Sequence, residues 1–452
     1  MRAVFAHTLF IVVFLLAACP QSAQVVAPRV DDQTAKADFK TQSAGVLGEP
    51  CAWQAEELQH ELPINPESTG RAREYRLAFD GLSREFAVIT KASPDALSSP
   101  VLSTQVFFQR FSHEGRALGS PVELQPELAP LQTDASWNHS LLGVMRVGEA
   151  WVALWSQMAY LRDASGYTYP ESGIYARRVP DTAPLGSLRT LVTTQTYLRA
   201  HDLQWTGNTL AIATVEGPEA TTDLGFGGDS VVRVRRFDAD LAPRGTLLTI
   251  PDERPDLPLS SLQALRMSGD DERLGVFFSG WRLSDPQQTD GVFALIEGEE
   301  IVAVNTEVLA INGSSGDLSL GYGGGRFLAC THHPPTCRLF SASDAKPMGT
   351  PITFYAPSVR LPCAVRWLDD RFWVAAWGTA LNATFHLLGW VDAVGGQGQQ
   401  LLPSSSETSF LPSAPRHYLL AGGPDELFWI DDRYFNTNAD SGVLMRFTKD
   451  CP

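Results

Sequence analysis

Of the side chains able to do chemistry, the cysteines have the most telling positions: Cys19, Cys51, Cys330, Cys337, Cys363 and Cys451. Cys330 and Cys337 flank the hexapeptide THHPPT, and that spacing has two readings. Antiparallel strands on either side of a short loop bring two Cα atoms within the ~7 Å that a disulfide needs. A metal would instead recruit both thiolates with His332 and His333. Adjacent histidines point apart, however, two prolines stiffen the loop, and closed zinc sites use well-spaced ligand pairs. A disulfide is expected, and no metal or other cofactor is assigned. Cys363 is then a buried free thiol, with a Cys330 partnership as the alternative. The glycine runs GFGG and GYGGG neither open a helix nor precede a Lys-Ser/Thr pair, so they read as tight turns and not as phosphate loops. No Gly-x-Ser-x-Gly elbow and no His-Glu-x-x-His helix occurs, so hydrolase templates find no catalytic residues.

Cys19 closes a different pattern. Arg2 precedes an unbroken apolar run from Leu9 to Leu16, and the run leads into Leu16-Ala17-Ala18-Cys19. These four residues resemble the lipobox of bacterial prolipoproteins, with small residues suited to a narrow peptidase site and a thiol to accept lipid. The resemblance implies a signal peptide over residues 1–18, cleavage before Cys19, and a diacylglyceryl anchor with fatty chains such as palmitate on that sulfur. Leu9 to Leu16 falls well short of the ~20 residues that span a bilayer. Residues 19–50, rich in Gln, Ala, Ser, Asp and Val without amphipathic period, read as a flexible tether with a span of roughly 30 Å. Pro20 stands where an aspartate would retain many Gram-negative lipoproteins at the inner membrane. Its presence points to the outer membrane if there is one.

Charge narrows the partners. The chain carries a formal net charge of −16, and loss of Arg2 makes it more negative still. Such a surface repels nucleic acid and anionic headgroups, so the lipid on Cys19 is expected to be the membrane contact. Hydrophobic residues at 44% and aromatics at 10% are those of a globular chain, expected over residues 51–452.

The elements that must position these residues repeat. Seven apolar runs begin at Phe86, Trp151, Leu210, Leu274, Phe327, Phe372 and Leu427, at intervals of 65, 59, 64, 53, 45 and 55 residues. Each follows a polar turn such as VGEA, GGGR or LDDR and precedes a more polar run such as GIYARRVPDT or SVVRVRRFDAD. A candidate strand lies upstream of each, and the first six units lead into a further short run such as SPVELQ. Four strands per unit, repeated seven times with hardly a plausible helix, predict an all-β, seven-bladed β-propeller. WVALWSQ is apolar on both faces, as a strand between neighbouring blades must be, while VVRVRRF alternates as a strand nearer the rim would. The rhythm resembles that of divergent bacterial propeller lipoproteins as a class. WD, kelch and complete aspartate-box signatures are missing.

The chain ends predict how the ring closes. The seventh unit stops at MRFTKDCP, and AWQAEELQHEL after Cys51 is similar to the outer strand SPVELQPEL. Residues 52–62 should therefore complete the last blade, with a Cys51–Cys451 disulfide beside them. Innermost strands line a propeller's axis, and aligning the units places Arg73, Glu74, His139, His201, Asp202, Gln263, Asp317, Arg360, Arg416 and His417 near their starts. His139, His201 with Asp202, and His417 are candidate channel ligands, either as a functional cluster or as the polar lining of a watery channel. The function expected is that of a lipid-anchored cell-envelope binding or scaffold module that recognises protein or glycan partners through its loop faces. A glycan hydrolase or lyase, or a metal-dependent binder, using the axial funnel is the competing class.

Overall fold

A computed structural model describes residues 52–59, 71–93, 105–125, 136–163, 166–182, 184–194, 197–217, 231–251, 262–281, 288–306, 310–312, 318–331, 335–354, 364–380, 383–403, 419–423, 425–434 and 440–450. All fall within one compact unit, Val46–Pro452. Residues 1–18, expected to be a signal peptide, Cys19 and most of the segment expected to be a tether fall in the other unit, Met1–Gly45, and lie outside the described residues.

The described strands form seven antiparallel sheets, each with a main path of four strands. The first six follow chain order. Blade 1, for example, runs Arg71–Asp80, Glu85–Ser93, Gln105–Ser112 and Val122–Glu123. Blade 4 carries one extra short strand, Ala310–Asn312, paired with Gln288–Asp290. The inner strands are Arg71–Asp80, Ser136–Val147, Tyr197–Trp205, Leu262–Gly269, Leu318–Gly323, Ala364–Leu368 and Leu419–Gly423. Each touches the next, and the seventh touches the first, so the ring is closed. Blade 7 is completed from the chain's other end. Ala52–Gln59 pairs antiparallel with Asp440–Asp450, from Ala52 opposite Asp450 to Gln59 opposite Leu444.

Packing follows from the apolar runs. The second strand of a blade has a blade on each side, so both its faces must be apolar. Leu210–Gly217 is buried at every position, and Trp151 to Trp155 are fully buried. Seven hydrophobic clusters result, one at each blade interface. The seventh joins Phe428 and Leu444 of blade 7 to Tyr75, Leu77, Phe86, Val88 and Phe111 of blade 1. Toward the rim the pattern loosens as the alternating sequence requires. Val231–Phe237 alternates between half-buried and buried, and Pro243–Ile250 is mostly exposed.

Two-residue turns join inner to second strands in several blades. Gly324 and Gly325 both take positive φ, and so do Asp369 and Asp370. Paired positive φ values are those of a type I′ turn, whose twist matches the flanking strands.

Cys330 and Cys337 are directly opposed in the second and third strands of blade 5, with Cα atoms 4.0 Å apart, and form a disulfide. His332, His333, Cys51, Cys363 and Cys451 lie outside the described residues.

Candidate functional site: the axial cavity

Strand register fixes what reaches the propeller axis. The first residue of each core run pairs with an inner-strand residue: Phe79, Arg146, Trp205, Gly269, Tyr322 and Trp367 in blades 1 to 6. Two positions earlier stand Leu77, Val144, Leu203, Met267, Leu320 and Val365. Each of these belongs to a different interface cluster, where it wedges two blades together. The positions between these wedges line one cavity. One position before the reference residue stand Ala78, Met145, Gln204, Ser268, Gly321 and Arg366. Three positions before it stand Arg76, Gly143, Asp202, Arg266, Ser319 and Ala364. Together these layers wall an axial cavity of about 350 Å³. The blade 7 side chains on this wall lie outside the described residues.

The wall's charge is uneven. Arg76, Arg266 and Arg366 line it together with one carboxylate, Asp202. The Arg76 guanidinium donates through Nη1 to the Tyr75 carbonyl at 2.7 Å, and Arg266 does the same to the Leu265 carbonyl at 2.7 Å. Both thus curl onto the open backbone edge of their own strands. Arg366 is reached by solvent within the cavity and makes no hydrogen bond or ion pair with another described residue. The protein enclosing it lowers its pKa by desolvation. Arg146 also reaches the wall, but its fork is held by both Asp181 oxygens, at 3.0 and 2.8 Å.

Asp202 is buried, and its Oδ2 accepts the Met267 N–H of the next blade at 2.8 Å. Burial pushes its pKa up. Arg266, the backbone N–H groups of Met267 and Leu203, and Arg76 offset this in part. Desolvation therefore wins over a neighbouring cation, as expected of a carboxylate without a bidentate partner. Around one end stand the half-buried rings of Phe79, Trp205, Tyr322 and Trp367. The Trp367 indole lies against Gly323, where a Cβ would fall 1.9 Å from its Cγ, so glycine is required there. The Tyr322 hydroxyl donates to Asp270 while burial, the larger cause, helps push its pKa up to about 12.

The candidates read from the sequence are dispersed. Asp202 lines the cavity. His139 is buried within blade 2, with Nε2 at 3.0 Å from the Gln157 Oε1 of the adjacent strand, and is not among the cavity's lining residues. His201 is on the same strand as Asp202, opposite Thr214. Its side chain, those of Arg73, Glu74 and Gln263, and residues Asp317, Arg360, Arg416 and His417 lie outside the described residues. Among the described residues no group of three or more His, Cys, Asp or Glu is arranged to hold a metal ion.

Arg76 and Arg266 are not reached by counting from the strand starts, for a structural reason. The inner strands of blades 1 to 4 each contain a register shift, and Arg73 and Gln263 are themselves skipped residues. A bulge inverts the facing of every residue upstream of it, so counting from the strand starts points to the wrong face. A usable signal lay downstream of the bulges. RLAF, DLQW, SLGY and AVRW share an apolar second position and an aromatic fourth.

No protein-family model matches the chain, and no curated protein matches its sequence. Solved structures match in fold. The phage phi92 endosialidase aligns with 90% of this chain and 72% of its own at 9% identity and a TM-score of 0.46. The polysaccharide lyase Uly1 aligns with 86% and 91% at 8% identity and a TM-score of 0.45. The WD40 domain of SCAP from fission yeast aligns with 88% and 98% at 8% identity and a TM-score of 0.40. These are likenesses of fold, and no activity or residue role is taken from them.

Proposed function

We propose that this protein is a lipid-anchored binding module of the bacterial cell envelope, and that its ligand enters the axial cavity. The observation that carries this reading is the cavity wall itself, where four guanidinium groups and half-buried aromatic rings meet around one space. A volume of about 350 Å³ lies within the ~300–1,000 Å³ range of small-molecule sites. Polar groups from several blades fix orientation there without any moving part. The anchor rests on Leu16-Ala17-Ala18-Cys19, and the tether lets the propeller stand off the membrane surface. Protein partners on the loop faces remain compatible with a cavity that holds a small ligand.

Two measurements test this reading. Cells fed labelled palmitate should label the wild-type chain and not Cys19→Ala, and the variant should leave the membrane fraction. A Cys19→Ala chain that is still labelled and membrane-bound would overturn the anchor. Fractions of envelope carbohydrates and small solutes should raise the melting temperature of the mature protein in detergent. Ser268→Trp, which fills the cavity, should abolish that rise. Stabilisation that survives Ser268→Trp would move the site off the axis.

One observation favours catalysis as a second reading: Asp202 is a carboxyl group biased toward its protonated form inside a cavity, as a general acid must be. Turnover of a bound glycan that is lost in Asp202→Asn, with binding retained, would establish it.

A further inference from the structure

We infer that the axial cavity selects an oxyanion, a carboxylate or a sulfate carried on a body the size of one sugar ring. This rests on the cavity being the binding site and adds the chemistry of its occupant.

Four arginines stand in the wall of one cavity, one of them, Arg146, held by Asp181, in a chain whose formal net charge is −16. Acidic surfaces normally attract cations, yet this cavity gathers the opposite charge. Like charges brought together out of bulk water repel one another and lose hydration, so a fold keeps such a group where something compensates it. Among the described wall residues Asp202 is the one carboxylate, against four guanidinium groups, of which Arg146 is met by Asp181 from outside the wall. Arg366 is reached by solvent, and no other described residue bonds to it. A bound anion would supply what the wall lacks.

The type of cation narrows the anion. A guanidinium presents a planar fork of N–H donors that matches two oxygens of a carboxylate or a sulfate. Arg76 and Arg266 each anchor one Nη on a strand carbonyl, which fixes their orientation before a ligand arrives. Preorganised donors of this kind lose little entropy on binding. The half-buried faces of Trp205, Tyr322 and Trp367 at one end of the cavity suit the apolar C–H face of a sugar ring. The space holds a small ligand and not a broad polyanion surface. A polynucleotide would also meet the repulsion of the whole acidic chain.

The test uses the mature protein in detergent with defined probes: glucuronate, glucose 6-sulfate, glucose and inorganic sulfate, titrated calorimetrically. Glucuronate or glucose 6-sulfate should bind at least tenfold more tightly than glucose. Preference for one over the other assigns carboxylate or sulfate as the natural head group. Arg366→Gln should weaken that binding about tenfold or more, the scale of a lost charge-assisted hydrogen bond. Its unliganded melting temperature should hold or rise, because Arg366 bonds to no other described residue and the substitution removes a desolvated charge from among its like. Arg366→Lys should recover part of the affinity, and Arg116→Gln on the exposed rim should change nothing. Inorganic sulfate should bind more weakly than glucose 6-sulfate, and equal affinity would remove the sugar body from the proposal. If glucose binds as tightly as the acidic probes and Ser268→Trp still blocks it, the oxyanion assignment falls and the cavity reading stands. If Ser268→Trp blocks no probe and no envelope fraction, both fall together.

Discussion

Two buried carboxylates in neighbouring surroundings show how context sets a residue's role. Glu216 is paired with Arg233, with Arg235 at 2.7 Å and with the Thr214 hydroxyl at 2.9 Å, so its charge is met within blade 3. Asp202 is equally buried but lines the axial cavity, where it accepts the Met267 N–H and no arginine fork holds it. Burial raises its pKa above the unfolded value, so the folded protein holds this proton more tightly than the unfolded chain does. Stability therefore falls as pH rises from the unfolded carboxylate range through the folded pKa, and the loss is complete above it. Asp202→Asn keeps an oxygen for the Met267 N–H and removes the charge. It is expected to raise the melting temperature at pH 7 by on the order of 2 °C or more, and the gain should vanish by about pH 4. Thermal unfolding of both proteins from pH 4 to pH 8 checks this. A variant less stable than wild type at pH 7 would mean that the Arg266 attraction outweighs desolvation. Asp202 could be singled out in the sequence because aligning the units on their core runs places it, with His201, near the start of an inner strand. Arg76 and Arg266 could not, because they follow bulges that no residue type announces.

At the scale of elements, the hydrophobic period was a sound guide because the physics behind it is local. A strand between two blades has two apolar faces and a rim strand has one, so Leu210–Gly217 and Val231–Phe237 differ in the sequence as they do in burial. Lengths and bulges were less legible, since they are set by partners distant in the chain. Blade 5 adds a covalent link to its ladder. Six successive pairs from Arg326 opposite Ser341 to Thr331 opposite Thr336 already align the two strands, and Cys330–Cys337 sits within them. A disulfide closing so short a loop contributes about 2–3 kcal/mol in the chain-entropy model. The double variant Cys330→Ala, Cys337→Ala should lose about that much in urea unfolding while keeping its β-sheet circular dichroism, because neighbouring blades hold both strands. Loss of the folded signal altogether would show that the bond is needed for the blade to form. Equal stability would show that the ladder suffices.

For the molecule as a whole, the question is what keeps a ring of seven blades from opening. Six blades are each made from one stretch of chain, and only blade 7 joins the two ends. The closing strand Ala52–Gln59 is held by its pairing with Asp440–Asp450 and by blade 6 as well. The Gln400 amide donates to the Trp53 carbonyl and accepts from its N–H, both at 3.1 Å, while the Trp53 ring packs edge-on to Trp373 with centroids 4.9 Å apart. Trp53→Ala should cost about 3–5 kcal/mol, as large aromatic truncations in a core do. The register carries the proposal one residue further. Ala52 faces Asp450 at the last described pair, and the next residues outward in the sequence are Cys51 and Cys451. We propose that they are bonded, closing a covalent loop of roughly 400 residues worth on the order of 5 kcal/mol in the chain-entropy model. Peptide mapping without reductant should recover a Cys51–Cys451 linked fragment. Cys51→Ser should then lower stability by more than the removal of Cys330–Cys337 does, because the loop is so much longer. It should also allow blade 7 to exchange amide hydrogens before the rest of the ring. Free thiols at both positions in protein exported to an oxidising compartment would leave closure to hydrogen bonds and packing alone. Trp53→Ala would then be the variant that opens the ring.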